Sequence, residues 1–228
     1  MLDLEMENVT VRYPDLPQPA LDMPRLLVPA GSSLAVTGPS GAGKSTFINV
    51  ITGLERPCAG AVRWKGQDIA RLSEAARDRW RAKNVGLVMQ EFHLFPGLDA
   101  MENVLLPARF RHPRLPAGLR DRAAHLLAQV GIGTGRRGVE TFSRGEMQRV
   151  AIARALLAGP GVIVADEPTA SLDSESGGVV CALLTALART EGATLIVVTH
   201  DTALSGRLDR RIVLTGGRCT GDSAMEAA

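Results

Sequence analysis

Residues 38–46 read GPSGAGKST, with SSLAVTG leading in over residues 32–38 and FINVITGL following over 47–54. The leading stretch is a short apolar strand ending in glycine, and the trailing one opens an apolar helix. Strand, glycine-rich turn and helix together fit G-x-x-x-x-G-K-[ST], the phosphate-loop pattern. Gly38, Gly41 and Gly43, which with Pro39, Ser40 and Ala42 make up the candidate ATP-binding loop, let the backbone turn its N–H groups toward phosphate oxygens, and the helix N-terminus adds its dipole. Lys44 is placed to neutralise the β- and γ-phosphates, the Ser45 hydroxyl to ligate Mg²⁺, and Thr46 closes the motif. Lysine occurs elsewhere only at Lys65 and Lys83, so its presence here is informative. A ligand-free glycine turn is the bland alternative. The strand before it and the helix after it favour a bound nucleoside triphosphate.

A second piece lies at residues 161–168, GVIVADEP. An apolar strand delivers Asp166 and Glu167 to its carboxyl end, where ligands sit in α/β sheets. Asp166 suits Mg²⁺. Glu167 points elsewhere and suits a general base for the attacking water. A third apolar run, TLIVVTH over residues 194–200, ends at His200. In that company His200 reads as a contact to the γ-phosphate that also keeps water and Glu167 in line; alone it reads as a capping histidine. Gln90 ends the run NVGLVMQ (84–90). Its amide can reach Mg²⁺ or the water; by itself it is a surface glutamine. Tyr13 is the only tyrosine, and either stacks on adenine or packs half-buried.

The chain has 228 residues, 45% of them hydrophobic and only 4% aromatic, enough for one large aliphatic core. Strand-like runs alternate with helical ones, which predicts an α/β fold with a largely parallel sheet and an N-terminal antiparallel β portion. Residues 91–159 carry helix signals and few strand signals, so they read as a helical insert between core segments 1–90 and 160–228. Asp99 with Glu102, and Ser143 with Glu146, are both spaced as capping boxes. The formal charge of +2 does not point to a nucleic-acid partner. Cys58, Cys181 and Cys219 fit no metal spacing and read as thiols in a reducing compartment. The acidic, alternating start MLDLEMENVT is unlike a signal peptide, and no apolar run is long enough to span a bilayer. Arg109, Arg111, Arg114, Arg120 and Arg122 read as a solvated face of the helical insert or as a surface for anionic lipid or nucleic acid. The final GDSAMEAA reads as a loose tail.

Tyr13, GPSGAGKST, Gln90, FSRGE, ADEP, SLD and His200 occur in an order and spacing that resemble the ATP-binding cassette (ABC) ATPases. The helix start RGEMQRVAIARAL is the specific piece, and the resemblance covers essentially the whole chain. It implies a RecA-like P-loop NTPase core and ATP hydrolysis with Mg²⁺ held by Ser45, Gln90 and Asp166. It places Ser143, Arg144, Gly145 and Glu146 on the signature motif, which faces ATP on a partner cassette. It places Asp173 on the loop that crosses between cassettes. One cassette per chain implies a dimer, most simply a homodimer, bound to integral membrane permease subunits at the inner face of the cell membrane. Residues 86–107 and 197–218 look like the lipoprotein-release and macrolide-export branch. A soluble mechanochemical cassette, an importer subunit and a catalytically silent cassette are the competing readings. The signature departs from L-S-G-G-Q in one costly place: Arg144 replaces a glycine, and a positive φ there would penalise arginine.

Overall fold

The structure is a computed structural model and describes residues 1–133 and 135–223. Two sheets form its frame. The first is antiparallel, in the order β2 (Leu21–Val28), β1 (Leu4–Val11), β4 (Ala59–Trp64), β5 (Gln67–Asp68). The second has the order β10 (Arg218–Asp222), β9 (Arg210–Thr215), β3 (Ser33–Thr37), β8 (Thr194–Val198), β7 (Val162–Asp166), β6 (Val85–Val88). Its strands run parallel from β9 to β6, and only β10 is antiparallel. This is the expected α/β class.

Alternation along β1 explains its placement. Leu4 and Met6 face inward; a bulge between Glu7 and Thr10 then shifts the phase, so Val9 and Val11 also face inward. Asn8, inside the bulge, has φ 49°, a conformation asparagine tolerates better than most residues. Strand β2 was not legible in the sequence because Pro24 interrupts it. It lies at the sheet edge, where a missing N–H costs no ladder bond.

Among the described residues, seven helices complete the frame: α1 (Lys44–Ile51), α2 (Glu74–Asn84), α3 (Ala100–Arg111), α4 (Leu119–Gln129), α5 (Arg144–Leu156), α6 (Ser174–Thr190) and α7 (Thr202–Ser205). Successive residues of β7 divide the core. Val162 and Val164 join Leu34, Val36, Ile196 and Val198 against Phe47 and Ile51 of α1. Ile163 and Ala165 join Leu195 and Val197 against Val104, Val150 and Leu184 of α3, α5 and α6. Each Val, Leu, Ile or Phe side chain among them, fully buried, favours folding by roughly 1.5–3 kcal/mol over exposure. Trp64 fixes α1 from the other sheet: its indole N–H donates to the Ile51 carbonyl at 2.7 Å. Helix α2 escaped the sequence reading because Trp80 is its only buried residue.

Several expectations need correction. Strands β6 and β8 stop at Val88 and Val198, so Gln90 and His200 stand on the following turns rather than at strand ends. Gly221 and Asp222 belong to β10, with Asp222 paired to Arg210; residues 224–228 of the expected tail lie outside the described residues. The arginine cluster is not one surface. Arg122 donates to the carbonyls of Leu156 and Leu157 at 3.0 Å and pairs with Glu191 at 2.6 Å, and Arg111 donates to the Ala82 carbonyl. Arg109, Arg114 and Arg120 are not buried. Among the described residues no helix is long and apolar enough to cross a membrane.

Candidate functional site

Strands β3, β8, β7 and β6 are consecutive and parallel, so their carboxyl ends share one edge. Across that edge the chain sets the phosphate loop after β3, His200 after β8, Asp166 and Glu167 at the end of β7, and Gln90 after β6. Sheet order thus assembles groups from residues 38 to 200. A cavity of about 600 Å³ opens there, lined by Tyr13, the loop from Ser40 to Thr46, Gln90, Asp166 and Glu167.

The loop is built around its glycines. Gly43 precedes α1 with φ 96°, and a Cβ there would lie 2.4 Å from the Ala20 carbonyl oxygen. Only glycine satisfies both the dihedral and the space. The Gly217 N–H braces the loop from behind by donating to the Ala42 carbonyl at 3.0 Å. Lys44 Nζ donates to the carbonyls of Gly38 and Pro39, at 2.8 and 2.9 Å, which folds its ammonium back over the loop. The Tyr13 hydroxyl donates to Glu55 Oε2 at 2.7 Å, and burial pushes its pKa up.

The acidic pair is differentiated by its surroundings. Burial pushes the Asp166 carboxyl above its ordinary range; the neighbouring charge of Glu167 adds to this, and Lys44 opposes it. Glu167 sits at φ 45°, an uncommon conformation for a non-glycine residue and one that recurs at functional sites. Its N–H still donates to the Val198 carbonyl at 2.8 Å, so the backbone stays in the sheet while the side chain turns off the strand. Glu167 Oε2 accepts from the His200 N–H at 3.2 Å and lies 2.9 Å from His200 Nδ1. Ser45, Asp166 and Gln90 bring a hydroxyl, a carboxylate and an amide oxygen to one cavity, a hard-oxygen set that fits Mg²⁺. No group of three or more His, Cys, Asp or Glu that could cage a metal occurs among the described residues.

The expected signature residues lie elsewhere. None of Ser143, Arg144, Gly145 and Glu146 lines the cavity, nor does Asp173. Both halves of the Ser143 capping box form: the Glu146 N–H donates to Ser143 Oγ at 3.2 Å, and Glu146 Oε2 accepts the Ser143 N–H at 2.8 Å. Arg144 carries no positive φ and is exposed in the first turn of α5, so the anticipated backbone penalty is absent. Gly145 has no positive φ either, and a Cβ there would meet Ser176 only at an ordinary 3.5 Å. Nothing among the described residues of the chain demands that glycine. Asp173 caps α6, its Oδ1 accepting the Ser176 N–H at 2.9 Å; that bond is the main cause holding its carboxyl below the usual range.

Two residues that sequence reasoning passed over tie α5 to this edge. Gln148 is fully buried and donates to the Pro168 carbonyl, just past Glu167, at 3.0 Å. Arg154 donates to the carbonyls of Phe92 and His93, just past Gln90. The available signal for Gln148 was a polar residue set among the apolar positions of α5.

The ABC transporter family model matches residues 21–170, and the chain belongs to that family, as an ATP-binding cassette and an ATPase. It is 43% identical over 205 residues to the lipoprotein-releasing system ATP-binding protein LolD of Anaeromyxobacter dehalogenans, covering 90% of this chain and 86% of that one. It is also 43% identical over 219 residues to the macrolide export ATP-binding/permease protein MacB of Rhodospirillum rubrum, covering 93% of this chain and 33% of that one. Among solved structures, the dimeric post-hydrolysis state of the cassette MJ0796 bound to ADP and Pi matches with a TM-score of 0.85 and 35% identity. That match covers 96% of this chain and 97% of the other.

Proposed function

We propose that two copies of this chain close around ATP and reopen after hydrolysis, and that the cycle drives membrane permease subunits of the lipoprotein-release or macrolide-export type. One observation carries the reading. The phosphate loop, Gln90, Asp166 and Glu167 line one cavity, while the helix start at Ser143 lies outside it on the same chain. Each nucleotide site is then completed by the signature of a second copy. The dimeric MJ0796 cassette supports this arrangement. The MacB relative, whose name joins ATP-binding and permease functions in one protein, supports a membrane partner. Residues 1–90 and 160–228 act as the catalytic core and 91–159 as the helical signature subdomain. The chain then works as a cytoplasmic subunit, peripheral on the inner face of the membrane through its permease.

In this cycle Tyr13 stacks on adenine, the backbone of residues 38–43 and Lys44 hold the phosphates, and Ser45, Asp166 and Gln90 hold Mg²⁺. Mg²⁺ held by these residues would offset charge on the β- and γ-phosphates. Glu167 takes the proton of the attacking water as its oxygen bonds to the γ-phosphorus; the β–γ bridging bond breaks, leaving ADP and inorganic phosphate. His200 engages Glu167 Oε2 through ring and backbone, which leaves Oε1 for the water. Gly145 presents its N–H and Ser143 its hydroxyl to the γ-phosphate held by the other copy, and Asp173 lies where the two copies cross.

Steady-state ATPase measurement of Glu167→Gln tests the base assignment. The expected result is a loss of at least about 100-fold with ATP binding retained; equal rates would overturn it. Co-purification separates the transporter subunit from a soluble mechanochemical cassette: a membrane permease is expected to be recovered, and recovery of soluble machinery alone would contradict the transport role.

A further inference from the structure

The signature of this chain carries charge where the family pattern L-S-G-G-Q carries none: Arg144 is positive and Glu146 negative. A carboxylate at the helix start that clasps a triphosphate is an electrostatic liability. The surrounding structure accounts for both of its oxygens. Glu146 Oε2 accepts the Ser143 N–H at 2.8 Å, and Oε1 accepts from Arg137 Nη2 at 2.6 Å. The same guanidinium lies over the Phe142 ring, its Cζ 4.2 Å from the centroid, and Phe142 is itself a departure from the leucine of the pattern. One arginine, outside the motif, therefore engages two of the three residues in which this motif differs. The Ser143 N–H, and then Arg137, hold the Glu146 carboxyl below its usual range, so it is charged at neutral pH.

We infer that Arg137 is a positioning residue of the ATP-driven dimer: it neutralises Glu146 and holds its carboxylate on its own chain, leaving Arg144 as the net charge offered to the partner's triphosphate. The inference rests on the sandwich reading of the preceding section. Arg137 and Glu146 are 53% and 28% exposed in the single chain, so their pairing adds little to folding. Closure of the dimer excludes water from this region, and an unneutralised carboxylate near phosphate becomes costly only then. The effect is thus expected on dimer affinity and not on ATP binding by the monomer or on thermal stability.

A double-mutant cycle in the Glu167→Gln background, read as the dimer dissociation constant in ATP and Mg²⁺ by sedimentation equilibrium, tests this. Arg137→Met is expected to weaken the dimer on the order of tenfold while residue 146 is glutamate. With Glu146→Gln, which keeps the cap and removes the charge, the same Arg137→Met change should cost less than about twofold. Arg137→Lys, which keeps the charge, should lie nearer the parent than Arg137→Met. Monomer ATP affinity and melting temperature report folding independently. An Arg137→Met protein that dimerises like its parent, or an equal loss with and without Glu146→Gln, overturns the inference. A parent that stays monomeric overturns the sandwich itself and the inference with it.

Discussion

Asp166 shows the conflict between stability and function at the scale of one residue. Its carboxyl is pushed up mainly by burial, so in the ligand-free protein its charged form is disfavoured relative to the unfolded chain. The folded state then holds its proton to higher pH than the unfolded state. Stability falls as pH rises from the unfolded pKa through the folded one, and the cost persists at neutral pH. Asp166→Asn removes that charge. Its melting temperature without nucleotide is expected to exceed wild type by a few degrees at pH 7, with the difference vanishing as pH falls toward the ordinary aspartate range. Its Mg²⁺-dependent gain in ATP affinity is expected to drop. Differential scanning calorimetry across pH checks the first part, and titration of ATP with and without Mg²⁺ checks the second. Lys44, Asp166 and Glu167 were legible because their chemistry requires fixed spacings next to strands. Arg137 was not, because its partners Phe142 and Glu146 are set by the path of the chain just before α5, which no local pattern encodes.

Among the elements, α1 and α5 both begin where an anion is expected, and they are built differently. Helix α1 starts from Gly43 with no side-chain cap, leaving its first N–H groups for phosphate. Helix α5 is capped by Ser143 and Glu146. Ser143→Ala is therefore expected to lower stability by about 1 kcal/mol even without ATP, measured by urea unfolding. Gly43→Ala meets both a strained φ and the Ala20 carbonyl, and is expected to weaken ATP binding at least about tenfold, on a cost of about 1–3 kcal/mol for the strain alone. The two capping boxes, the parallel strands and most helices could be read from periodicity. Strand β2 and helix α2 could not. Pro24 hides an edge strand, and α2 is a charged helix anchored by Trp80.

For the whole molecule, sheet order brings the site together. Residues from the first and last thirds of the chain meet because β3 lies between β8 and β9, and β7 lies between β8 and β6. No local reading of sequence gives that order; it was available only through resemblance to a family. The same architecture leaves Ser143–Glu146 outside the cavity they would serve, which makes a second copy the centre of the account. The most direct test is the mass of Glu167→Gln by light scattering, with and without ATP and Mg²⁺. The account predicts a protomer mass without nucleotide and twice that mass with ATP and Mg²⁺. A protein that binds ATP yet stays at the protomer mass, even with its permease domains supplied, would contradict it.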